Sequence, residues 1–255
     1  MLLAIDLGNT ETVLGLFEGA ELESHWRIAT NAERTADEHA LLVSQLLDLD
    51  GYRFDGDVSG IAISSTVPRL TATLRAMSRR WPAVPTVVLE PGIRSGMAIL
   101  YDNPREVGAD RIANAVGAYE QYGGPSIVVD FGTSTNFDVI SAAGEYMGGA
   151  IAPGVEISMD ALFGRAAALR RVELVEPRNV IGKSTVESIQ SGVLYGFAGQ
   201  VDGIVDRIRV ELGGEAVVVA TGGLSGVIAP HSRTVQHTDP WLTLHGLRLV
   251  FDRNT

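Results

Sequence analysis

Cysteine is missing from all 255 residues, which excludes a disulfide framework, a thiolate zinc site and a cysteine nucleophile. Its absence suits the cytoplasm. Long apolar runs are also missing: the first residues, MLLAIDLGNT, show no basic region followed by an apolar stretch, and no window approaches the ~20 residues that cross a bilayer. We therefore expect a soluble, unprocessed, cytoplasmic chain without a membrane partner.

Positive charge is scarce, with 20 Lys and Arg against 31 Asp and Glu and a net charge of −11. Because a phosphate backbone requires clustered Lys and Arg, this balance argues against a nucleic-acid partner. The same field would weakly repel an anionic ligand such as a polyphosphate. A nucleotide site would need local compensation from backbone N–H groups, a few basic residues and bound cations.

What the chain does have is glycine, 29 residues of it, more than average usage predicts. Many tight backbone positions are therefore expected. The length allows one large or two small domains, each with its own hydrophobic core.

One pattern of strand, Asp and Gly turn occurs twice. The apolar run Leu2–Ile5 ends in Asp6-Leu7-Gly8-Asn9-Thr10, and the run 127–129 ends in Asp130-Phe131-Gly132-Thr133; each is followed by a second apolar strand. The copies align without a gap at an offset of 124 positions, close to half the chain. We predict two similar halves, 1–123 and 124–255, with a boundary near Gly123 and the C-terminal helix free to pack on the other half.

Helical patterns lie between the strands. Capping boxes at Thr35 with Glu38 and at Ser184 with Glu187 predict two helix starts. Pro68 and Pro104 predict two more; the second would turn Val107, Ala115 and Tyr119 inward. A third apolar run, 216–220, ends in Thr221-Gly222-Gly223. Alternating strands and helices indicate the α/β class.

An Asp at the end of a buried strand, followed by a Gly turn, places a carboxylate beside free backbone N–H groups, which suits phosphate and a cation. The hydroxyls of Thr10, Thr12, Thr133 and Thr135 border the same turns. A single Asp-x-Gly hairpin is usually only a turn. Two aligned copies favour the phosphate interpretation.

Two further segments allow more than one interpretation. The segment 182–185, Gly-Lys-Ser-Thr, resembles the end of a P-loop, but the first glycine of that motif would fall at Pro177 and no apolar strand precedes it. It is a helix start, from which Thr185 can still face a ligand. Asp110 and Arg111 are either a surface ion pair or, in phosphoryl transfer, a proton acceptor and a cation.

The order of several motifs resembles that of type III pantothenate kinases over nearly the whole chain. The motifs are 6–10 (DLGNT), 108–111 (GADR), 130–133 (DFGT), 148–154 (GGAIAPG), 182–185 (GKST), 190–192 (QSG), 221–223 (TGG) and 242–247 (LTLHGL).

This resemblance implies a duplicated actin, hexokinase and Hsp70-like fold of the ribonuclease H-like type, a homodimer, and transfer of the γ-phosphoryl group of ATP to pantothenate at the start of coenzyme A biosynthesis. It implies Mg²⁺ and a monovalent cation, K⁺ or NH₄⁺. By position it makes Asp110 the general base, Asp6 a ligand for phosphate-bound Mg²⁺ and Asp130 the ligand of the monovalent cation. The implied nucleotide contacts are Asp6, Leu7, Gly8, Asn9, Thr10, Glu11, Thr12, Val13 and Thr133, and the implied pantothenate contacts are Tyr101, Gly108, Ala109, Asp110, Arg111 and Thr185.

Two positions depart from the family pattern: Glu11 stands where relatives often have an uncharged polar residue, and Asn136 where Thr is frequent. Glu11 adds negative charge beside the phosphate turn, so nucleotide affinity or cation demand can differ. Two rival functions remain at this point: another kinase or phosphatase on the same fold, and a nucleotide-binding regulator without turnover.

Overall fold

The computed structural model describes residues 1–166 and 169–255. They form two compact units, one containing Met1–Gly117 with Leu242–Thr255 and the other containing Ala118–Trp241. The strands of the described residues are β1 (Leu2–Leu7), β2 (Glu11–Glu18), β3 (Glu21–Ala29), β4 (Gly60–Ser65), β5 (Thr86–Val88), β6 (Ser126–Phe131), β7 (Ser134–Ile140), β8 (Tyr146–Pro153), β9 (Val217–Thr221) and β10 (His237–Thr238). Their helices are α1 (Ala36–Leu49), α2 (Pro68–Arg80), α3 (Ala109–Tyr122), α4 (Val155–Arg165), α5 (Thr185–Leu212), α6 (Ser225–Ile228) and α7 (Leu242–Asp252).

The first unit is built on a five-stranded sheet in the order β3-β2-β1-β4-β5. Strand β1 pairs antiparallel with β2 and parallel with β4. Alternate residues of β1, Leu3, Ile5 and Leu7, belong to a hydrophobic core that Val43 and Leu47 of α1 and Leu70 and Leu74 of α2 complete. Helix α7 packs against β1 and β4.

The second unit repeats this topology. Its sheet has the order β10-β9-β6-β7-β8, with β6 antiparallel to β7 and parallel to β9. Ile127, Val129 and Phe131 of β6 face a core formed with α4 and α5. The two Asp-containing strands, β1 and β6, therefore occupy equivalent central positions, as the sequence repeat predicts.

The ungapped alignment of the two copies is wrong by one residue after the turn. Leu7 pairs with Thr12 across four intervening residues, whereas Phe131 pairs with Thr135 across three. The second turn is one residue shorter, so Thr135, rather than Asn136, is the structural equivalent of Thr12. Both threonines are buried.

Most predicted helix starts are confirmed. Thr35 and Glu38 form the capping box of α1, Pro68 is the first residue of α2, and the Ser184 hydroxyl accepts the N–H of Glu187 at the start of α5. The start at Pro104 is wrong. Pro104–Glu106 is only a 3-10 turn, capped by the Asn103 side chain, and α3 begins at Ala109.

The predicted inward face of α3 is partly confirmed. Val107 and Ala115 are buried, but Tyr119 is 36% exposed. The Tyr119 ring packs against Gly144, since a β-carbon at position 144 would come within 2.6 Å of Tyr119 Cε1.

Within residues 1–166 and 169–255, no helix is both long and apolar enough to span a bilayer.

Candidate active site

The first Gly turn closes with a hydrogen bond from the Gly8 N–H to the Glu11 carbonyl, at 3.0 Å. The side chains of Asn9 and Thr10 between them are exposed, while Thr12, the first residue paired back to β1, is 3% exposed. Segment Asp6–Val13 therefore runs without interruption from the end of β1, through the turn, to the start of β2, and we call this segment the rim.

Thr30, the residue after β3, holds this turn through two hydrogen bonds. Its hydroxyl donates to the Gly8 carbonyl at 2.8 Å, and its N–H donates to the Thr10 carbonyl at 2.9 Å. The Thr12 and Thr30 hydroxyls are also 2.8 Å apart. Nothing in the local sequence signals this role, because Thr30 simply follows β3.

Glu11, one of the two residues that depart from the family pattern, forms an ion pair with a residue of the same sheet. Arg27 of β3 donates through Nη1 to Glu11 Oε2 at 2.6 Å, and both side chains are partly exposed. The guanidinium compensates the negative charge of the Glu11 carboxylate beside the first Gly turn.

Asp6 lies half-buried near the end of β1 and pairs in register with Ser64 of β4. The Ser64 hydroxyl is buried without a hydrogen-bond partner. A carboxylate and a hydroxyl side by side on one sheet face are hard oxygen ligands of the kind Mg²⁺ prefers, directly or through water.

The second turn closes with a hydrogen bond from the Gly132 N–H to the Ser134 carbonyl at 3.0 Å, and Thr133 is exposed at its tip. The Ser134 hydroxyl donates to Asn136 Oδ1 at 2.9 Å. Asn136, the other departure from the family pattern, therefore supports this turn from β7.

Two glycines of the quoted motifs lie against the second turn. Gly222 has φ +88°, and a β-carbon there would lie 2.5 Å from Asp130 Oδ1. A β-carbon on Gly154, the residue that caps α4, would lie 2.7 Å from the Gly132 carbonyl oxygen. Both positions need glycine because their backbones approach the turn too closely to leave room for a side chain.

Asp110 stands in the first turn of α3, and its Oδ1 accepts the N–H of Arg111 at 2.9 Å. Burial raises the pKa of the Asp110 carboxyl above its ordinary value, and this outweighs the lowering by the Arg111 N–H and guanidinium. Arg111 is 7% exposed. The two residues are therefore not a solvated surface pair.

The remaining predicted pantothenate contacts lie apart along the chain. Tyr101 is half-buried in the segment between β5 and α3. Thr185, the first residue of α5, is exposed and lines a groove of about 1020 Å³ bordered by α4, α5 and residues 182–184. The helix-start interpretation of this segment is confirmed, and contact of Thr185 with a ligand remains a prediction.

The structure groups the predicted site residues by unit. Asp6–Val13, Tyr101 and Gly108–Arg111 belong to the first unit, and Asp130, Thr133 and Thr185 to the second. Among the described residues, no three His, Asp or Glu side chains cluster as a protein-only metal site.

Comparison with solved structures identifies the fold. The chain is similar to component A of (R)-2-hydroxyglutaryl-CoA dehydratase from Acidaminococcus fermentans, with a TM-score of 0.60 and 15% identity over 99% of this chain and 97% of that one. It is also similar to the ROK hexokinase of Thermus thermophilus, with a TM-score of 0.51 and 15% identity over 98% and 97% of the two chains. The expected duplicated α/β, hexokinase-like fold is confirmed.

Comparison with protein sequences identifies the family. The family model described as type III pantothenate kinase matches residues 2–207. The chain is 59% identical to the type III pantothenate kinase of Acidothermus cellulolyticus, over all of this chain and 99% of that one. It is 54% identical to that of Moorella thermoacetica over the full length of both. The chain therefore belongs to the type III pantothenate kinase family.

Proposed function

We propose that this protein transfers the γ-phosphoryl group of ATP to the primary alcohol of pantothenate, which gives 4′-phosphopantothenate at the first step of coenzyme A biosynthesis. The observation that carries the proposal is the full-length match to relatives named for this activity. Retention of Asp6, Asp110, Arg111 and Asp130 together speaks against a regulator without turnover.

Asp110 is the proposed general base. As the pantothenate oxygen forms its bond to the γ-phosphorus, the bond from that phosphorus to the β–γ bridging oxygen breaks and ADP leaves; the hydroxyl proton passes to the Asp110 carboxylate. The raised pKa of this carboxyl makes it a better proton acceptor than an ordinary Asp. Arg111, beside it, supplies positive charge near the transferred group.

The rim Asp6–Val13 is the proposed phosphate site, with Thr133 as a further nucleotide contact. Backbone N–H groups of a tight turn suit phosphate oxygens. Its negative neighbour Glu11 is paired with Arg27, which lowers the repulsion that ATP would meet in a chain of net charge −11.

The side chains present suit the two implied cations. Asp6, with the Ser64 hydroxyl beside it, would hold Mg²⁺, and Asp130, with the Gly222 backbone close to its carboxylate, would hold K⁺ or NH₄⁺. When bound, the cations neutralise developing charge on the phosphate oxygens.

Tyr101, Gly108, Ala109, Asp110, Arg111 and Thr185 are the proposed pantothenate contacts. Their task is to hold the hydroxyl in line with the γ-phosphorus, since positioning supplies most of the catalysis in phosphoryl transfer. We further propose a cytoplasmic homodimer and a division of the chain into two similar halves, 1–123 and 124–255.

A coupled ADP-release assay with Mg-ATP across several small hydroxyl acceptors tests the function. We expect that, among the acceptors, pantothenate alone stimulates ADP release, and that this release is faster in K⁺ than in Na⁺ buffer. Equal release with other acceptors, or none with pantothenate, would overturn the assigned substrate.

A further inference from the structure

The motif Leu242–Leu247 opens α7, and nothing in the reaction described above uses it. Helix α7 packs on β1 and β4 of the first unit, and two strand glycines allow its close approach. A β-carbon on Gly15 would lie 2.7 Å from Leu244 Cδ1, and one on Gly60 would overlap the ring of Phe251. Strand β1 is the strand that carries Asp6.

The other side of α7 lies directly against α3. A β-carbon on Gly246 would overlap the carbonyl of Ala113, and one on Gly117 would lie 2.8 Å from the Leu242 carbonyl oxygen. The two helix backbones touch through these glycines, so neither helix can slide without breaking the contact.

A polar contact between the same helices fixes their register. The Thr243 hydroxyl donates to Asn114 Oδ1 at 2.7 Å, across 129 residues of sequence. Asn114 is fully buried, so loss of this donor removes a bond from a desolvated amide. Asn114 lies four residues after Asp110 and therefore on the same side of α3.

From these contacts we propose that Thr243, Asn114 and Gly246 are positioning residues that set the place of Asp110. Helix α7 is wedged between the strand that ends in the phosphate turn and the helix that begins with the base. The hydrogen bond from Thr243 to Asn114 fixes the rotation of α3 about its own axis and its position along α7. The proposal rests on the proposed function of Asp110 and concerns what holds it in place.

The direct test replaces Thr243 with Val, which keeps the branched shape and removes the donor, and with Ser, which keeps the donor. Because a shift of about 1 Å at a reacting group lowers rate up to ~100-fold, we expect Thr243→Val to lower kcat roughly tenfold or more. The KM for ATP should stay within about twofold of wild type, since the phosphate turn is untouched. Thr243→Ser should restore most of kcat.

A pH profile separates positioning from simple loss of stability. Asp110 owes its raised pKa to burial, so a displaced α3 should change the pH at which kcat falls on the acid side of its pH profile in Thr243→Val. In Thr243→Ser this acid limb of the profile should stay as in wild type. The matched control is Val43→Ala in α1, which removes buried core volume away from α3 and α7. That variant should lower the melting temperature and leave kcat and the acid limb unchanged below it.

Each result decides one question. A wild-type protein that does not phosphorylate pantothenate refutes the proposed function itself. An active wild type with a Thr243→Val variant of equal kcat and unchanged acid limb refutes the positioning role. An equal loss of kcat in Val43→Ala would also refute it, because stability alone would then explain the effect.

Discussion

The Asp110 carboxylate lies against Gly108 so closely that a β-carbon at position 108 would overlap Asp110 Oδ1. That same oxygen accepts the N–H of Arg111. Glycine at 108 therefore leaves the space in which the proposed base sits, and the Arg111 N–H holds the base there.

Gly108→Ala should accordingly displace the carboxylate and lower kcat by roughly 10- to 100-fold, because the base would no longer meet the hydroxyl in line. Steady-state kinetics with ATP and pantothenate measure this. Gly226→Ala is the matched control, since a β-carbon on Gly226 meets nothing within 4 Å. Equal activity of the two variants would show that the contact at 108 has no catalytic role.

Asp110→Asn should leave the fold intact and make it no less stable at pH 7.5. Burial raises the pKa of this carboxyl in the folded state above its value in the unfolded chain, so ionisation of Asp110 opposes folding. The free energy of unfolding therefore falls as the pH rises from the pKa of the unfolded chain to that of the folded protein, and it stays lower at higher pH. The amide oxygen can still accept the Arg111 N–H. Melting temperatures at pH 7.5 should be equal or higher for the variant, with the gain vanishing in acid. A lower melting temperature at pH 7.5 would contradict the burial argument.

Arg27→Gln should raise the KM for ATP, because it leaves the Glu11 carboxylate uncompensated beside the proposed phosphate site. For a partly exposed pair worth up to about 1 kcal/mol, the rise should be about two- to fivefold, and added salt should reduce it. The double change with Glu11→Gln should restore the wild-type value. Arg53→Gln, which breaks an exposed pair with Asp55, is the control and should change nothing. A normal KM in Arg27→Gln would mean that Glu11 does not act on the nucleotide.

His39 in α1 should make the protein sensitive to mild acid. Burial, aided by the nearby Arg34, lowers its pKa to about 4, and its side chain is 3% exposed. The folded state therefore prefers neutral imidazole, and its contribution is full above pH ~6.5 and lost as pH falls toward 4. Between these pH values, the free energy of unfolding measured in urea should fall by roughly 3 kcal/mol more for wild type than for His39→Leu. Parallel pH dependences would contradict this.

The sequence predicts the features that short local patterns determine. Apolar runs ending in Asp and Gly locate both hairpins, and Ser184 with Glu187 locates the start of α5. The family order of motifs also predicts the hexokinase-like fold, which the comparison with solved structures confirms. The roles of individual site residues remain predictions.

Features that depend on contacts distant along the chain cannot be predicted from local sequence patterns. Thr30 bonds Gly8 across 22 residues and Thr243 bonds Asn114 across 129, and neither partner shows a local signal. The predicted start of α3 at Pro104 is wrong because Pro104 favours a helical turn, while the cap at Asn103 closes only a 3-10 turn. One residue of register in the second hairpin likewise depends on turn closure, which composition does not reveal.

The central claim is most directly tested by mass spectrometry of pantothenate incubated with Mg-ATP and either wild-type protein or Asp110→Asn. The account predicts phosphorylated pantothenate in step with ADP for wild type, and a rate lower by at least about 100-fold for the variant, with ATP binding retained. No phosphorylated pantothenate from wild type would contradict the assigned function. Near-normal formation by Asp110→Asn would contradict the assignment of the base.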